Sequence, residues 1–349
     1  MKKMLLAILF SFSLNYFTFA QNNQVNVIDP SQEAMLATYN QGISYLEQKR
    51  YTEAIKEFDK AINGSPNFYK AYFNRAHAYE KLEKYGSAIW NYSKCISLQP
   101  RESKTYFARG KCKASLGQAD KAMTDFNRAL ELDPQNTDVY YFKGLVLFEQ
   151  QNYHAAISQY DQALKVNPSF VNALNDRAGA KRMIDDLDGA IEDYQKAIQA
   201  EKSHDFVYNN LASAFRLKGD FDKAIENYSA AITLKPTSFL FYNNRGRAYF
   251  EKGEFSKALK DFDKAIELNP KYALAYNNRA SAHKQLKSYK LAENDATKAI
   301  SLKPDFGAAY LNRGIIREML RDQASACQDW DRAAQLGIET AKQYTQSCK

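Results

Sequence analysis

The sequence predicts an all-α protein built as an α-solenoid of about nine stacked helical hairpins. Two observations support this prediction: proline recurs every 34 residues, with Lys202 filling one doubled gap, and the twentieth residue of each resulting unit is alanine. Such a period is typical of repeat proteins, in which neighbouring units bury each other's apolar faces. The periodic prolines are Pro66, Pro100, Pro134, Pro168, Pro236, Pro270 and Pro304. The alanines are Ala54, Ala88, Ala122, Ala156, Ala190, Ala224, Ala258, Ala292 and Ala326.

The repeat divides residues 35–340 into units of 34 positions. The units start at residues 35, 69, 103, 137, 171, 205, 239, 273 and 307. We expect residues 21–34 to form an N-terminal linker and the start of the first helix, and residues 341–349 to form a C-terminal capping helix. Terminal units are atypical in such stacks because they cap the exposed ends.

Each unit begins with a helix whose apolar face contains positions 4, 8 and 11. Position 8 is always Gly or Ala, and position 4 is tyrosine in seven of the nine units. These positions fall on one side of a helix because side chains three and four residues apart share a face. The small residue at position 8 predicts that a second helix packs closely against the first.

The second helix of each unit carries positions 20, 24 and 27 on one face, with an aromatic residue at position 24 in eight of nine units. A polar turn joins the two helices, and it contains Gly219 or Gly253 in two of the units. Glycine there can adopt the left-handed conformation that ends a helix. The proline at position 32 ends the second helix. Each unit is therefore two antiparallel helices of roughly 14 residues, about 20 Å long.

The pattern of aromatic, Gly, aromatic, Ala, aromatic and Pro at positions 4, 8, 11, 20, 24 and 32 resembles the tetratricopeptide-repeat (TPR) family over residues 35–340. The resemblance implies a right-handed superhelix whose concave wall comes from first helices, chiefly positions 2, 5, 6, 9 and 12. The fifth unit departs from the pattern at Leu174 and Lys202. Either this unit is a flexible point in the stack of repeats, or its turn tolerates lysine in place of proline.

A column of asparagines at position 6 of the first helices is the first candidate binding feature. A carboxamide offers both a donor and an acceptor, so a ladder of them can bond an extended peptide backbone without selecting its sequence. The alternative is that these amides satisfy local helix ends or solvent. The predicted ladder includes Asn74, Asn210, Asn244, Asn278 and Asn312.

Aromatic and cationic residues complete the predicted groove. Position 5 is aromatic in the first four units and asparagine in the next four, and cations collect at positions 9 and 12 of the later units. The aromatic part suits apolar side chains, and the cations suit an acidic peptide or a carboxylate. The alternative is that the aromatics pack against adjacent helices and the cations are solvated. These residues are Phe73, Phe107, Tyr141, Arg182, Arg216, Arg247 and Lys284.

Arginine at position 7 is predicted to be structural. It recurs in six units and is expected to pair with acids of neighbouring helices, such as Asp261 or Asp295. Cys327 and Cys348 lie about equally far on either side of a turn near Gly337. An antiparallel hairpin would bring the two cysteines level, so they are predicted to form a disulfide in an oxidising compartment.

The remaining cysteines and the histidines do not indicate a catalytic site or a metal site. Cys95 and Cys112 are predicted to be small buried residues. The four histidines occupy different positions in separated units, and no two have the spacing of a metal site or a nucleophile–base pair. The sequence therefore predicts no catalytic residues, no metal site and no cofactor, and we expect a protein that is not an enzyme.

Residues 1–20 are predicted to be a secretory signal peptide. Lys2 and Lys3 precede an uncharged apolar run, and small residues stand at Thr18 and Ala20. The strongly apolar part, Met4 to Leu14, is shorter than the roughly 20 residues that a bilayer-spanning helix needs. We therefore expect cleavage after Ala20 and an exported protein, periplasmic or secreted, without an integral membrane segment in the mature chain.

These observations favour a non-enzymatic scaffold that binds an extended peptide or partner segment in the concave groove. The alternative is a structural component of a cell-envelope assembly, held through convex or end surfaces. A weaker alternative is binding of an anionic polymer. The formal net charge is +8, but acidic residues are interspersed with the cations on second helices. This mixture argues against a continuous phosphate-binding track, so no nucleic-acid partner is expected.

Overall fold

The computed structural model describes residues 30–348, which form successive helices joined by short turns, with no strand in that range. The predicted signal peptide and most of the predicted N-terminal linker lie outside the described residues. The chain divides after residue 99 into two compact units. The predicted all-α class and the tandem helix-turn-helix hairpins are confirmed.

The first unit, described from residue 30 to residue 99, contains two hairpins. Its helices are α1 Pro30–Glu47, α2 Tyr51–Gly64, α3 Tyr69–Lys81 and α4 Tyr85–Leu98. Its core includes Ile62 of α2, Tyr69 and Tyr72 of α3, and Cys95 of α4. Cys95 is fully buried, as predicted, and its Sγ lies 3.7 Å from the carbonyl oxygen of Tyr69.

The second unit, residues 100–348, contains seven hairpins followed by a short capping helix. Its helices are α5 Ser103–Ser115, α6 Ala119–Leu132, α7 Thr137–Glu149, α8 Tyr153–Val166, α9 Val171–Met183, α10 Leu187–Ala200, α11 Asp205–Leu217, α12 Phe221–Leu234, α13 Phe239–Glu251, α14 Phe255–Leu268, α15 Ala273–Gln285, α16 Tyr289–Leu302, α17 Gly307–Met319, α18 Gln323–Gln335 and α19 Ala341–Thr345. A 3-10 turn over Gln346–Cys348 follows α19.

Small residues bring the two helices of a hairpin into close contact, as the sequence predicts. A methyl group on Gly110 would lie 2.6 Å from Cε1 of Phe126, and one on Gly246 would lie 2.7 Å from Cε1 of Phe262. The aromatic ring at position 24 therefore packs directly on the backbone of the first helix. Ala122 and Ala258, at position 20, are fully buried beside these contacts.

The hairpin turns place position 15 in the left-handed conformation. Gly219 has φ +83° and Gly253 has φ +88°, as predicted. The sequence did not predict that six residues other than glycine adopt positive φ at the same position. These residues are Lys49, Glu83, Gln151, Asp185, Lys287 and Arg321. A bond from position 16 to the carbonyl of position 11 closes the turn, as from Asn152 N to Leu147 O at 2.9 Å, and so imposes this conformation.

The turn that contains Lys202 has the same length as the proline turns. Helix α10 ends at Ala200 and α11 begins at Asp205, the same spacing as between Leu234 and Phe239. Within this turn Ser203 Oγ donates a hydrogen bond to Glu201 Oε1 at 2.6 Å. Lysine therefore occupies the proline position without a change in repeat register.

An arginine–aspartate pair joins the two helices of most repeats. Arginine at position 7 of the first helix meets aspartate at position 23 of the second, as Arg245 meets Asp261 at 2.8 Å and Arg279 meets Asp295 at 2.6 Å. Both predicted partners are confirmed. The same pair forms in the repeats that contain Arg109, Arg177 and Arg313.

The C-terminal end of the stack is covalently closed. Cys327 of α18 and Cys348 form the predicted disulfide, with Cα atoms 5.7 Å apart. The Trp330 ring of α18 lies 5.0 Å from the Tyr344 ring of α19, measured between centroids. Cys112 is buried, as predicted. Helix α19 therefore covers the aromatic residue that in earlier repeats is covered by the next hairpin.

Candidate functional site

The candidate site is the face formed by positions 5, 6, 9 and 12 of the first helices α9, α11, α13, α15 and α17, here called the first-helix face. Position 6 of one repeat meets position 5 of the preceding repeat, 35 residues earlier. Asn210 Nδ2 donates to Asn175 Oδ1 at 2.9 Å, and Asn278 Nδ2 donates to Asn243 Oδ1 at 2.8 Å. The same bond joins Asn244 to Asn209 at 3.0 Å and Asn312 to Asn277 at 3.3 Å. These eight asparagines are called the amide ladder.

The amide ladder has a direction, and it ends at a carboxylate. Within a repeat, Asn209 Nδ2 donates to Asn210 Oδ1 at 3.3 Å, so the bonds between repeats are linked in series. At the N-terminal end, Asn175 Nδ2 donates to Asp176 Oδ1 at 2.8 Å. The donors from Asn278 onward all point toward Asp176. A chain of aligned amides polarises each member, so the carboxylate is the terminal acceptor of the series.

Tyr141 donates the last bond to this carboxylate, from its hydroxyl to Asp176 Oδ2 at 2.7 Å. Burial raises the pKa of Tyr141 well above its usual value, and the adjacent Asp176 raises it further. The hydroxyl is therefore protonated across the physiological range. Burial also raises the pKa of Asp176, although the bonds from Tyr141 and Asn175 act in the opposite direction.

The compact unit of residues 30–99 contains one hydrogen bond between the same two repeat positions, but it joins an asparagine to a tyrosine. Asn74 Nδ2 donates to the Tyr39 hydroxyl at 2.8 Å, across the same spacing of 35 residues. The predicted ladder residues thus bond side chains of the preceding repeat. Asn210, Asn244 and Asn278 are still partly exposed, and the bond to the preceding repeat uses one of the two N–H groups of each amide.

The predicted aromatic residues pack against other aromatic rings within the same compact unit of the chain. Phe73 lies 5.4 Å from Tyr92 in the first unit. In the second unit Phe107 lies 5.3 Å from Phe142, and Tyr141 lies 5.1 Å from Phe170. All three predicted aromatics are partly buried. This packing is the arrangement expected from the structural alternative stated for these side chains.

The predicted cations fall into two groups. Arg216 and Arg247 share a carboxylate: Arg216 Nη1 lies 2.7 Å and Arg247 Nη2 lies 3.5 Å from Glu251 Oε1. Arg182 and Lys284 have uncharged partners. Arg182 Nη1 donates to Ser213 Oγ at 3.3 Å, and Lys284 Nζ donates to Asn312 Oδ1 at 3.2 Å.

Burial lowers the pKa of Lys284, because the charged ammonium loses part of its hydration. Across residues 32–348 no carboxylate pairs with Arg182 or Lys284. Both side chains are partly buried. These two residues are therefore cations of the first-helix face that have no carboxylate partner in the described part of the chain.

Replacing Asp176 by asparagine is expected to stabilise the protein near neutral pH, by about 1 kcal/mol. The variant amide can donate to Tyr141 and accept from Asn175, as Asn74 donates to Tyr39. Because the folded state raises the pKa of Asp176, its favourable contribution is complete below its unfolded value near 4 and is lost as pH rises through the raised pKa. Urea unfolding at pH 4 to 8 measures the effect.

The reciprocal change, Asn210→Asp, is the matched control. It removes the donor to Asn175 Oδ1 and places a carboxylate against that oxygen. It should destabilise the protein, and the loss should grow as pH rises. If Asp176→Asn gives the same pH profile as the wild type, the pKa of Asp176 in the folded state is not raised.

The amide ladder could have been found in the sequence by comparing two repeat positions together, whereas each position taken alone does not reveal it. Positions 5 and 6 change together when they are compared 35 residues apart: Tyr39 with Asn74, Tyr141 with Asp176, and then asparagine with asparagine. Each pair joins a donor to an acceptor. Comparison at this offset would have identified the contact between repeats.

No other chemical centre is evident in the described part of the chain. No group of His, Cys, Asp and Glu in that part could hold a metal ion. His283 lies 3.8 Å from Asp295, a carboxylate that also pairs with Arg279, and His204 lies 2.9 Å from Glu201. None of the helices described is both long and apolar enough to cross a membrane.

Comparison with known proteins agrees with this architecture. A model described as TPR repeat matches residues 42–83, 110–151, 212–253 and 246–287. Models described as tetratricopeptide repeat match residues 141–206, and residues 69–102 and 273–306. No curated protein matches the chain.

Several solved structures are similar. The pilF protein of Pseudomonas aeruginosa is 19% identical, with 61% of this chain and 97% of that chain covered and a TM-score of 0.53. Yeast Tom70 is 16% identical, with 89% and 94% covered and a TM-score of 0.48. MamA is 28% identical, with 47% and 96% covered and a TM-score of 0.42.

The pilF likeness supports the fold alone, whereas the family models match repeat after repeat between residues 42 and 306. Those matches coincide with the hairpins and with the 34-residue register seen in the structure. The chain belongs to the tetratricopeptide-repeat family.

Proposed function

We propose that the chain is a non-enzymatic scaffold that binds an extended acidic segment of a partner protein on the first-helix face. The TPR architecture supports a role in protein interaction. The residues of the face support the nature of the segment. Arg182 and Lys284 carry the proposal, because both are partly buried cations with neutral partners only.

A carboxylate of a bound segment would complete the pairing that Arg182 and Lys284 lack. Charge-assisted hydrogen bonds are stronger than neutral ones, and partial burial reduces the screening by water. Arg216 and Arg247 lie between them in the repeat order, and together they have one carboxylate, that of Glu251. The first-helix face thus has an excess of positive charge over four consecutive repeats.

The amide ladder would contribute to the register of the segment. Asn210, Asn244 and Asn278 are partly exposed, and each has a second N–H that can donate to a peptide carbonyl. Their bonds to the preceding repeats hold the amides in fixed orientations. Rigid donors lose less conformational entropy on binding than mobile ones, so the ladder favours an extended backbone without selecting its sequence.

Charge variants test this proposal better than ladder variants, because alanine at a ladder position also breaks a bond between repeats. We expect Arg182→Gln with Lys284→Gln to weaken binding of a labelled glutamate-rich peptide about tenfold or more. Fluorescence anisotropy at two salt concentrations measures the affinity. The matched control is Lys196→Gln with Lys298→Gln, which removes two exposed cations from the second helices of the same two repeats.

Equal binding by both double variants would refute a site on the first-helix face. The same variants can be used in crosslinking from an envelope extract, since we propose that the protein is exported and meets its partner in the periplasm or outside the cell. Partners that are lost only with the first-helix variant support the proposal. Partners that both variants retain would instead support a structural role in an envelope assembly through other surfaces.

A further inference from the structure

The sixth repeat lacks the arginine–aspartate pair that joins the two helices of most other repeats. Leu211 stands at position 7, where the next repeat has Arg245, and Asn227 stands at position 23, where the next repeat has Asp261. Both substitutions occur in the same repeat and remove both members of the pair. The hairpin of α11 and α12 therefore forms without an internal guanidinium.

A cavity of about 460 Å³ opens between α10, α11 and α12 at this place. Tyr208, Leu211 and Phe215 of α11 form its floor, and Gln195 and Asn227 stand at its rim. The corresponding cavity one repeat earlier, which Arg177 and Asp161 line, measures about 310 Å³. The larger volume coincides with the missing arginine.

The floor of the cavity keeps the aromatic ring on which a guanidinium lies in other repeats. In five repeats the arginine at position 7 lies over the tyrosine at position 4. Arg245 Cζ, for example, lies 5.8 Å from the Tyr242 ring centroid, and Arg313 Cζ lies 5.6 Å from that of Tyr310. Tyr208 occupies position 4 of the sixth repeat, which supplies no arginine at position 7.

The charges around the cavity favour a cation. Glu226 lines the cavity, and within residues 32–348 no lysine or arginine pairs with it. Lys223 also lines it, with its ammonium 5.3 Å from the Phe215 ring centroid and 2.9 Å from Asp220 Oδ2, so its charge is compensated. Asn227 Nδ2 donates to the carbonyl oxygen of Lys223 at 2.8 Å, which leaves Asn227 Oδ1 as an acceptor.

We propose that this cavity binds an arginine side chain of a partner protein. The guanidinium would lie over Tyr208, as the internal arginines do in other repeats, and would donate to the amide oxygens of Gln195 and Asn227 and to the carboxylate of Glu226. A lysine ammonium lacks the planar fork and stacks less well, so arginine is the cation that matches. The site is formed by the second helices α10 and α12 together with positions 4, 7 and 11 of the first helix α11, so it does not depend on the proposed function of the first-helix face.

Methyl-labelled NMR spectra of the full chain test this site. Three short peptides serve as probes, identical except for a central arginine, lysine or citrulline; citrulline has nearly the shape of arginine without its charge. We expect saturable shifts of the Leu211 and Ile198 methyl signals with the arginine peptide, at an affinity at least fivefold higher than with the other two. Equal affinities for the three peptides, or no shift at Leu211, would overturn the proposal.

Two variants make the test specific. Leu211→Arg with Asn227→Asp rebuilds the pair of the other repeats, fills the cavity with an internal guanidinium and should abolish the response to the peptide. Glu226→Gln leaves the cavity open and should weaken binding about threefold. Its matched control is Glu192→Gln, at the same position of the preceding repeat, where the carboxylate pairs with Lys196. Wild-type affinity for Glu226→Gln, or a shared loss in both glutamine variants, would contradict the assigned site.

Discussion

Replacing Arg177 by leucine is expected to lower the free energy of unfolding by about 3–5 kcal/mol, because it leaves a buried carboxylate without its main partner. The Asp193 side chain is 1% exposed. It accepts hydrogen bonds from Arg177 Nε at 2.8 Å and Nη2 at 2.5 Å, and its remaining ion pair is with Lys181 at 2.8 Å. Urea unfolding followed by circular dichroism, with hydrogen exchange of α9 and α10, measures the loss.

The double variant Arg177→Leu with Asp193→Asn is the control, because it copies the sixth repeat, which has Leu211 and Asn227 at these positions. It should recover much of the stability, since the buried carboxylate is removed together with the guanidinium; Lys181 loses its ion pair but keeps its bond to the Gly189 carbonyl oxygen. If the single and double variants are equally unstable, packing and not charge explains the loss. If the single variant is as stable as the wild type, the pair contributes nothing.

Removing the disulfide between Cys327 and Cys348 is expected to lower the stability of the last repeat by about 3 kcal/mol in the chain-entropy description. The bond closes a loop with a sequence separation of 21. Without it, α19 is held by noncovalent contacts alone, among them the ring contact between Trp330 and Tyr344 and the burial of Ala341. Cys348→Ser should therefore abolish hydrogen-exchange protection in residues 341–348 while α9 to α12 keep theirs.

Reduction of the wild type should reproduce the effect of Cys348→Ser and should have no further effect on the variant. This comparison serves as the control for reductant, since Cys95 and Cys112 are buried thiols that the reagent leaves unchanged. Peptide mapping under non-reducing conditions provides an independent check. Recovery of Cys327 and Cys348 both as thiols from oxidised protein would show that the bond does not form.

Most of the fold could be predicted from the sequence because every repeat must satisfy the same packing requirement. Gly110 and Ala122 are small for the same reason in every hairpin, namely the approach of one helix to the other. The conformation of Gln151 could not be predicted in this way. Its positive φ follows from the bond that closes the turn, which residue propensity alone does not reveal.

The candidate site could be predicted only in part, because its residues act through contacts between repeats. Examining each repeat position separately identified the asparagines and the cations but not their partners. Arg216 and Glu251 are 35 residues apart, as are Asn175 and Asn210, so one shared offset relates all these contacts. Whether a cation pairs with a carboxylate depends on the side chain of the neighbouring repeat. The residues found at one repeat position cannot show this.

The amide ladder also bears on how cooperatively the repeats unfold. In a linear stack, each interface between neighbours contributes its own coupling energy, and strong coupling makes adjacent repeats melt together. From the fifth repeat to the ninth, every interface has the same amide bond in addition to its apolar contacts. These five repeats are therefore coupled as one cooperative block, in which the loss of an inner hairpin removes hydrogen bonds on both of its sides.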